Sequence, residues 1–219
     1  MPNHGRLSTL NERICAMKDE KRAYRMTKRA EAEAETRRRI TETAVELHGT
    51  VGPARATISA LAEHAGVQRA TVYRHFPDEV ALYTACSLHW GARNPPPDLA
   101  RWAAIEDIDK RLEHALGELY GYYQRGEAML TNILRDEAAV PVLTQMLGGL
   151  RQYLEAAREM LMAGRSTGDP ACRQVRAVLG HALAFQTWRS LAVDQGLKDR
   201  EAAYLMSRLI RGTQEPLAA

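Results

Sequence analysis

The sequence predicts an all-α protein with a small helix-turn-helix head on a larger helical body. Three observations predict it. Apolar residues recur three and four positions apart along most of the 219-residue chain. Alternation of apolar and polar residues never lasts beyond a few positions, which argues against a sheet. The segment 57–76, TISALAEHAGVQRATVYRHF, sets two short helical patterns on either side of a glycine.

The elements follow in order. Residues 1–30 are charged and carry no apolar run, and they read as a flexible basic arm. From Glu31 the pattern turns helical. Glu31, Glu33 and Glu35 sit near the start, Arg37, Arg38 and Arg39 follow, and Ile40, Ala44 and Leu47 share one face. Gly49, Gly52 and Pro53 end this helix near His48. Thr57 is placed to cap the next, in which Ile58, Leu61, Ala62 and Ala65 face one way. Gly66 supplies the left-handed backbone that a tight turn requires. The third helix spans about Gln68 to His75, with Val67, Val72 and Phe76 inward. Pro77 restarts the chain, and Asp78 and Glu79 favour the first turn of a fourth helix. Its inner stripe is Leu82, Ala85, Cys86 and His89.

Asn94–Pro95–Pro96–Pro97 breaks that helix. The body beyond reads as amphipathic helices. Ile105, Ile108, Leu112, Leu116, Leu119 and Tyr123 carry the first, and Met129 to Leu134 a short one. Val142, Met146, Leu150, Tyr153 and Ala157 carry another, and a loop is predicted from Gly164 to Pro170. Two long helices over about 171–194 and 199–213 end the fold. The domain plan is an arm at 1–30, a head at 31–76 and a body at 77–215.

Charge is uneven. Residues 1–40 hold 11 Lys/Arg against 6 Asp/Glu, whereas residues 41–219 hold 19 against 21. A basic end on a near-neutral body points to a polyanionic partner. Lys18, Lys21, Arg22, Arg25, Lys28 and Arg29 could enter a flanking minor groove or track phosphates, or belong to a solvated tail. Cys15, Cys86 and Cys172 lie far apart, with neither a CxxC pair nor zinc-ligand spacing, and read as free thiols in a reducing compartment. The chain shows no secretory leader and no run of about 18 apolar residues. The expected location is the cytoplasm. There is no phosphate-binding glycine loop, nucleotide fingerprint or metal-ligand pattern among the histidines. No enzymatic function, cofactor or metal is expected.

The chemistry gathers on the third helix. Gln68, Arg69, Thr71, Tyr73, Arg74 and His75 are expected on its exposed face. Arginine can pair bidentately with guanine, glutamine with adenine, and the threonine methyl can meet a thymine methyl. Tyrosine and histidine suit phosphate oxygens as well. Thr57 could add a phosphate contact, as could Arg39, with Arg37 and Arg38 equivalent to it by rotation. In the body, Trp102, Tyr120, Tyr123, Met129, Phe185 and Trp188 are candidates to line an apolar ligand cavity, although each also suits a packed core. His114 and His181 are candidate polar donors there.

The window closely resembles the TetR family of bacterial transcriptional regulators. The residues that carry the likeness are Ile58, Leu61, Ala62, Ala65, Gly66, Val67, Thr71, Val72, Tyr73, His75 and Phe76, followed by PDEVALY, within roughly Arg39 to Trp90. The resemblance implies a homodimer that binds a palindromic double-stranded operator, most often as a repressor, and releases it when a small effector enters the body. It departs from the family at Glu79, where a lysine that can meet phosphate is usual; glutamate repels phosphate. The last two long helices, with Ala177, Ala184, Leu191, Ala202, Leu205 and Leu209, are expected to pair across the dimer axis. The effector is expected to be apolar or amphipathic. The alternatives are a helical dimer acting through protein contacts and a DNA binder without an effector.

Overall fold

The computed structural model describes residues 4–165 and 170–213, with side chains described for 22, 24–165 and 172–213. Most of the predicted loop at 164–170 therefore lies outside the described residues, as do the side chains of Cys15, Lys18 and Lys21. Among the described residues the regular structure is entirely helical. The head comprises the C-terminal part of α1 (His4–Thr50), a 3-10 turn (Pro53–Arg55), α2 (Ile58–His64) and α3 (Arg69–His75). The connecting helix α4 (Glu79–Arg93) leads to α5 (Leu99–Ala103), α6 (Ile108–Arg125), α7 (Glu127–Asp136), α8 (Val142–Met146) and α9 (Gly148–Met162). The body closes with α10 (Pro170–Ala182), α11 (Phe185–Arg189), a π-helical turn (Ser190–Asp194) and α12 (Asp199–Gly212). No helix among the described residues is long and apolar enough to cross a membrane.

Two cores organise these helices. In the head, Ile40, Ala44 and Leu47 of α1 meet Leu61, Ala62, Ala65, Val72 and Phe76, and Leu82 and Cys86 of α4 complete the cluster. In the body, α6 is the central helix: Leu112, Leu116, Leu119, Tyr120 and Tyr123 are fully buried. They pack with Leu161, Leu179, Trp188 and Ile210. Each fully buried aliphatic side chain stabilises by about 1.5–3 kcal/mol relative to exposure.

Local chemistry sets the ends of the head helices. Thr57 Oγ1 accepts from the Ala60 amide at 3.2 Å, which caps α2. Gly66 has φ +62°, and the Val67 amide reaches back to the Ala62 carbonyl at 2.9 Å. That bond closes the helix through a left-handed glycine and fixes the turn into α3. Asp78 accepts from the Ala81 amide at 2.7 Å and so caps α4.

Three expectations are corrected. The helix expected from Glu31 begins at His4. Residues 6–48 contain neither glycine nor proline and are rich in Ala, Glu, Lys and Arg, so nothing in the backbone stops the helix and propensity carries it across the charged stretch before Ile40. The helix expected over 142–157 breaks at Leu147 into α8 and α9. The long helix expected over 171–194 breaks at Leu183–Ala184 and ends in the π-helical turn.

The break at Leu183–Ala184 is held from α6. The Tyr120 hydroxyl donates to the Ala182 carbonyl at 2.9 Å, and the Tyr123 hydroxyl donates to the Leu183 carbonyl at 2.5 Å. Buried carbonyls left over at a helix end need such donors. Replacing Tyr123 by Phe should therefore cost about 1–3 kcal/mol, the desolvation cost of an orphaned buried acceptor. Denaturant melts would measure it, and an unchanged midpoint would remove the hydroxyl from the account of the break.

Candidate nucleic-acid interface and effector cavity

The outer face of α3 is set by its buried one. Val72 and Phe76 pack inward. Gln68, Arg69, Tyr73 and Arg74 are left exposed, with Thr71 half-buried beside them. Tyr73 is 50% exposed despite its ring. The outer surface of a seven-residue helix thus offers two guanidinium groups, an amide and a phenol, all able to donate to phosphates or base edges. Thr57 is exposed at the start of α2, and its hydroxyl hydrogen remains available while its oxygen caps the helix.

His75 departs from the expected face. It is only 7% exposed, because it follows Val72 by three residues and shares its inward side. Burial and the neighbouring Arg74 charge hold its pKa below the usual histidine value. The three arginines of α1 also separate. Arg37 donates to the His75 carbonyl and lies 4.1 Å from the Phe76 ring centre, so it closes the C-terminal end of α3. Arg38 is held by Glu35 and Glu42 at 2.6 and 2.7 Å. Arg39 is exposed and makes no ion pair among the described residues, which leaves it the freest of the three to meet a phosphate.

A polar latch joins head to body. Asn132 Nδ2 donates to the His48 and Gly49 carbonyls at 3.0 and 2.9 Å. Arg135 Nη2 donates to the Val51 carbonyl at 3.2 Å, and Asp136 Oδ2 accepts from the Ala54 amide at 3.0 Å. Arg135 also grips the Asp136 carboxylate at 2.7 and 3.0 Å. The guanidinium, then the Ala54 amide, hold that carboxyl below the usual carboxylate range. Three side chains of α7 thereby bind the backbone that links α1 to α2. Sequence reasoning missed them: their partners lie more than 80 residues away in the chain, and polar residues leave no trace in an apolar periodicity.

Beside the latch, α1, α4, α7 and α8 enclose a cavity of 210 Å³. Val45 and His48 line it from the head, Trp90, Tyr122 and Met129 from the body. His48 stacks on Tyr83 with ring centres 4.8 Å apart. Burial pushes its pKa down to about 4, so the ring is neutral near pH 7 and keeps one donor and one acceptor nitrogen.

A description of the tetR family of bacterial regulatory proteins matches residues 40–86, the span from the first core residue of α1 to the last head contact of α4. The head thus carries the sequence signature of the TetR family. The role that goes with this match is transcription regulation through DNA binding. The TetR-like architecture extends past the head. A candidate fatty acid metabolism regulator of Clostridium perfringens superposes with a TM-score of 0.57 at 14% identity, covering 80% of this chain and 97% of its own. A candidate TetR-family transcriptional regulator of Mesorhizobium loti gives 0.57 at 16%, covering 83% and 96%. A TetR-family transcriptional regulator of Streptomyces coelicolor gives 0.56 at 17%, covering 82% and 80%. These likenesses concern the fold. No curated protein matches the sequence.

Within the body the six aromatic and methionine candidates separate. Met129 lines the cavity, whereas Trp102, Tyr120, Tyr123, Phe185 and Trp188 lie in the packed core. Trp102 donates to Glu118 Oε2 at 2.6 Å and Trp188 to Asp199 Oδ1 at 2.8 Å, so both indoles spend their polar atom inside the fold. The cavity instead uses Trp90 and Tyr122, edge to face at 6.2 Å. His114 lies on an open groove along α6 and α12, 3.6 Å from Glu118, and His181 sits beside Thr187.

Proposed function

We propose that this chain is a homodimeric repressor of a palindromic operator, released when a compact apolar or amphipathic molecule enters the cavity between head and body. The observation that carries the reading is the shared wall of that cavity. His48 and Val45 belong to the helix that bears the head, Trp90 ends the connecting helix, and Met129 stands on the helix that holds the latch. A molecule seated there touches every element that links recognition to the body. At 210 Å³ the space is below the roughly 300–1,000 Å³ of larger ligand sites, which favours a compact effector. A ligand with equal affinity for both forms would shift nothing, so it must bind the DNA-incompetent form better, and operator DNA must weaken its binding by the same factor.

The outward side of α12 supports the dimer. Tyr204, Leu205 and Leu209 are 47%, 39% and 51% exposed on one face. With the exposed side of α10 they would form a four-helix interface across a twofold axis, one that buries more than about 1,000 Å² in total. Ala202, also expected there, is fully buried within its own subunit and cannot take part.

Enrichment of bound duplexes from random sequence, followed by competition titrations, tests the reading. The wild-type chain should select two inverted half-sites about one helical turn apart, and light scattering should return twice the 24.5 kDa chain mass. Arg69→Ala or Arg74→Ala should cost roughly 1–3 kcal/mol of discrimination if the side chain reads a base. If it meets only phosphate, specific and scrambled duplexes should weaken together. Failure to enrich any duplex would overturn the reading and favour action through protein contacts.

A further inference from the structure

Beyond the head, α1 continues as a helix whose described side chains are exposed. From Arg22 to Arg39 every described side chain is exposed except that of Thr36, which is half-buried. Arg22, Arg25, Lys28 and Arg29 fall within roughly 120° around the axis, and no carboxylate lies between Arg22 and Ala30. None of the four makes an ion pair among the described residues. Lys28 rests over the Tyr24 ring at 5.1 Å, which leaves its ammonium at the surface. The apolar side chains on this stretch are alanines with Tyr24 and Met26, which are 60% and 65% exposed, so a coiled coil or a fold-back onto the body would bury little.

The position of the stripe is fixed by Arg37. That residue binds the last carbonyl of α3, so the extension leaves the head beside the C-terminal end of the recognition helix. At about 1.5 Å per residue, Arg29 lies about 12 Å and Arg22 about 22 Å further along the axis. An α-helix with side chains is about 10–12 Å across, whereas the minor groove of B-DNA is about 6 Å wide. A helical extension therefore cannot thread the minor groove as an extended arm would. Its basic side is therefore placed to lie along phosphates.

Resting on the DNA-binding reading above, we propose that the N-terminal part of α1 is a second DNA-contacting element, which lays Arg22, Arg25, Lys28 and Arg29 along the phosphate backbone outside each operator half-site. It lengthens the footprint and adds salt-dependent affinity without adding base readout, since lysine and arginine on phosphates position a protein but carry no sequence information.

The test compares the wild-type chain with the R22Q/R25Q/K28Q/R29Q variant. Glutamine keeps the helix propensity and removes the charge. Two duplexes serve as probes: one trimmed to the enriched half-sites, and one carrying the same half-sites with ten flanking base pairs on each side. On the flanked duplex, loss of four phosphate contacts per subunit should reduce the slope of log affinity against log salt by about 3–4 per subunit, and the footprint should shorten at both ends. On the trimmed duplex both proteins should behave alike, and the preference for operator over scrambled sequence should persist. An unchanged slope on the flanked duplex, with the wild-type chain binding normally, would overturn this inference alone. Absence of duplex binding by the wild-type chain would overturn both it and the reading beneath it.

Discussion

Replacing Gly52 by alanine should destabilise the protein by about 2–5 kcal/mol and loosen the head from the body. Gly52 has φ +93°, a conformation that costs a residue with a Cβ on the order of 1–3 kcal/mol. The new Cβ would also collide with the Arg135 guanidinium and stand 2.5 Å from Asp136 Oδ2. Those atoms are the latch. Arg135 would have to leave the Val51 carbonyl, or Asp136 the Ala54 amide, and a buried polar group that loses its partner costs about 1–3 kcal/mol more. Asp136 is 6% exposed and Asn132 7%, so water cannot readily replace what is lost. Two measurements separate the consequences. Denaturant unfolding reports total stability, and hydrogen exchange at Val51–Ala56 reports the link itself, with faster exchange expected there than in the α6 core. Wild-type stability in the variant would show that the loop accepts a Cβ and that the latch contributes little. If the proposed effector acts through the latch, a folded variant with a loosened link should also lose its effect on operator affinity.

The head was legible in the sequence because its signals are local. A threonine cap, a glycine turn and short apolar repeats each act within a few residues, and Thr57, Gly66 and Val72 play those parts in the structure. His75 was legible too, had the three-residue step from Val72 been given more weight than its polarity. The unread features are long-range or depend on absent signals. No glycine or proline marks the break at Leu183–Ala184, which is sustained by hydroxyls from 60 and 62 residues earlier. The extension of α1 carries Leu7, Leu10, Ile14 and Met17 at helical spacing, but they are sparse within a charged stretch, and the helix there went unread. Tyr120 and Tyr123 suited either a cavity wall or a packed core, because sequence shows that a ring is present but not where its hydroxyl goes. Trp90 and Tyr122 carry the same ambiguity, and only the packing of α4 against α1 and α8 places them at the cavity.

Trp188→Ala and Trp90→Ala should therefore fail in different ways, and the contrast locates the effector. Trp188 is 1% exposed and packs against Phe185 and Tyr123 with ring centres 5.4 and 6.0 Å away. Its indole nitrogen also ties α11 to the first turn of α12 through Asp199. Truncation removes a large buried ring and its hydrogen bond, so the loss of stability should reach about 3–5 kcal/mol. Trp90 is only partly buried and faces the cavity, where it also touches the space above Gly126. Its truncation should cost less stability but deprive an effector of its largest aromatic wall. Melts of both variants measure the first effect. The second is read by screening small aromatic molecules for operator release and titrating an active one against each variant at a temperature where both remain folded. Trp90→Ala should raise the half-maximal concentration about tenfold or more, equivalent to about 1.4 kcal/mol of lost contact, while Trp188→Ala should leave it near the wild-type value. The reverse pattern would place the effector against Trp188 in the core of the body. It would also mean that α6 and α11 open to admit the effector, carrying the signal through the Tyr120 and Tyr123 hydroxyl contacts rather than through the latch on α7.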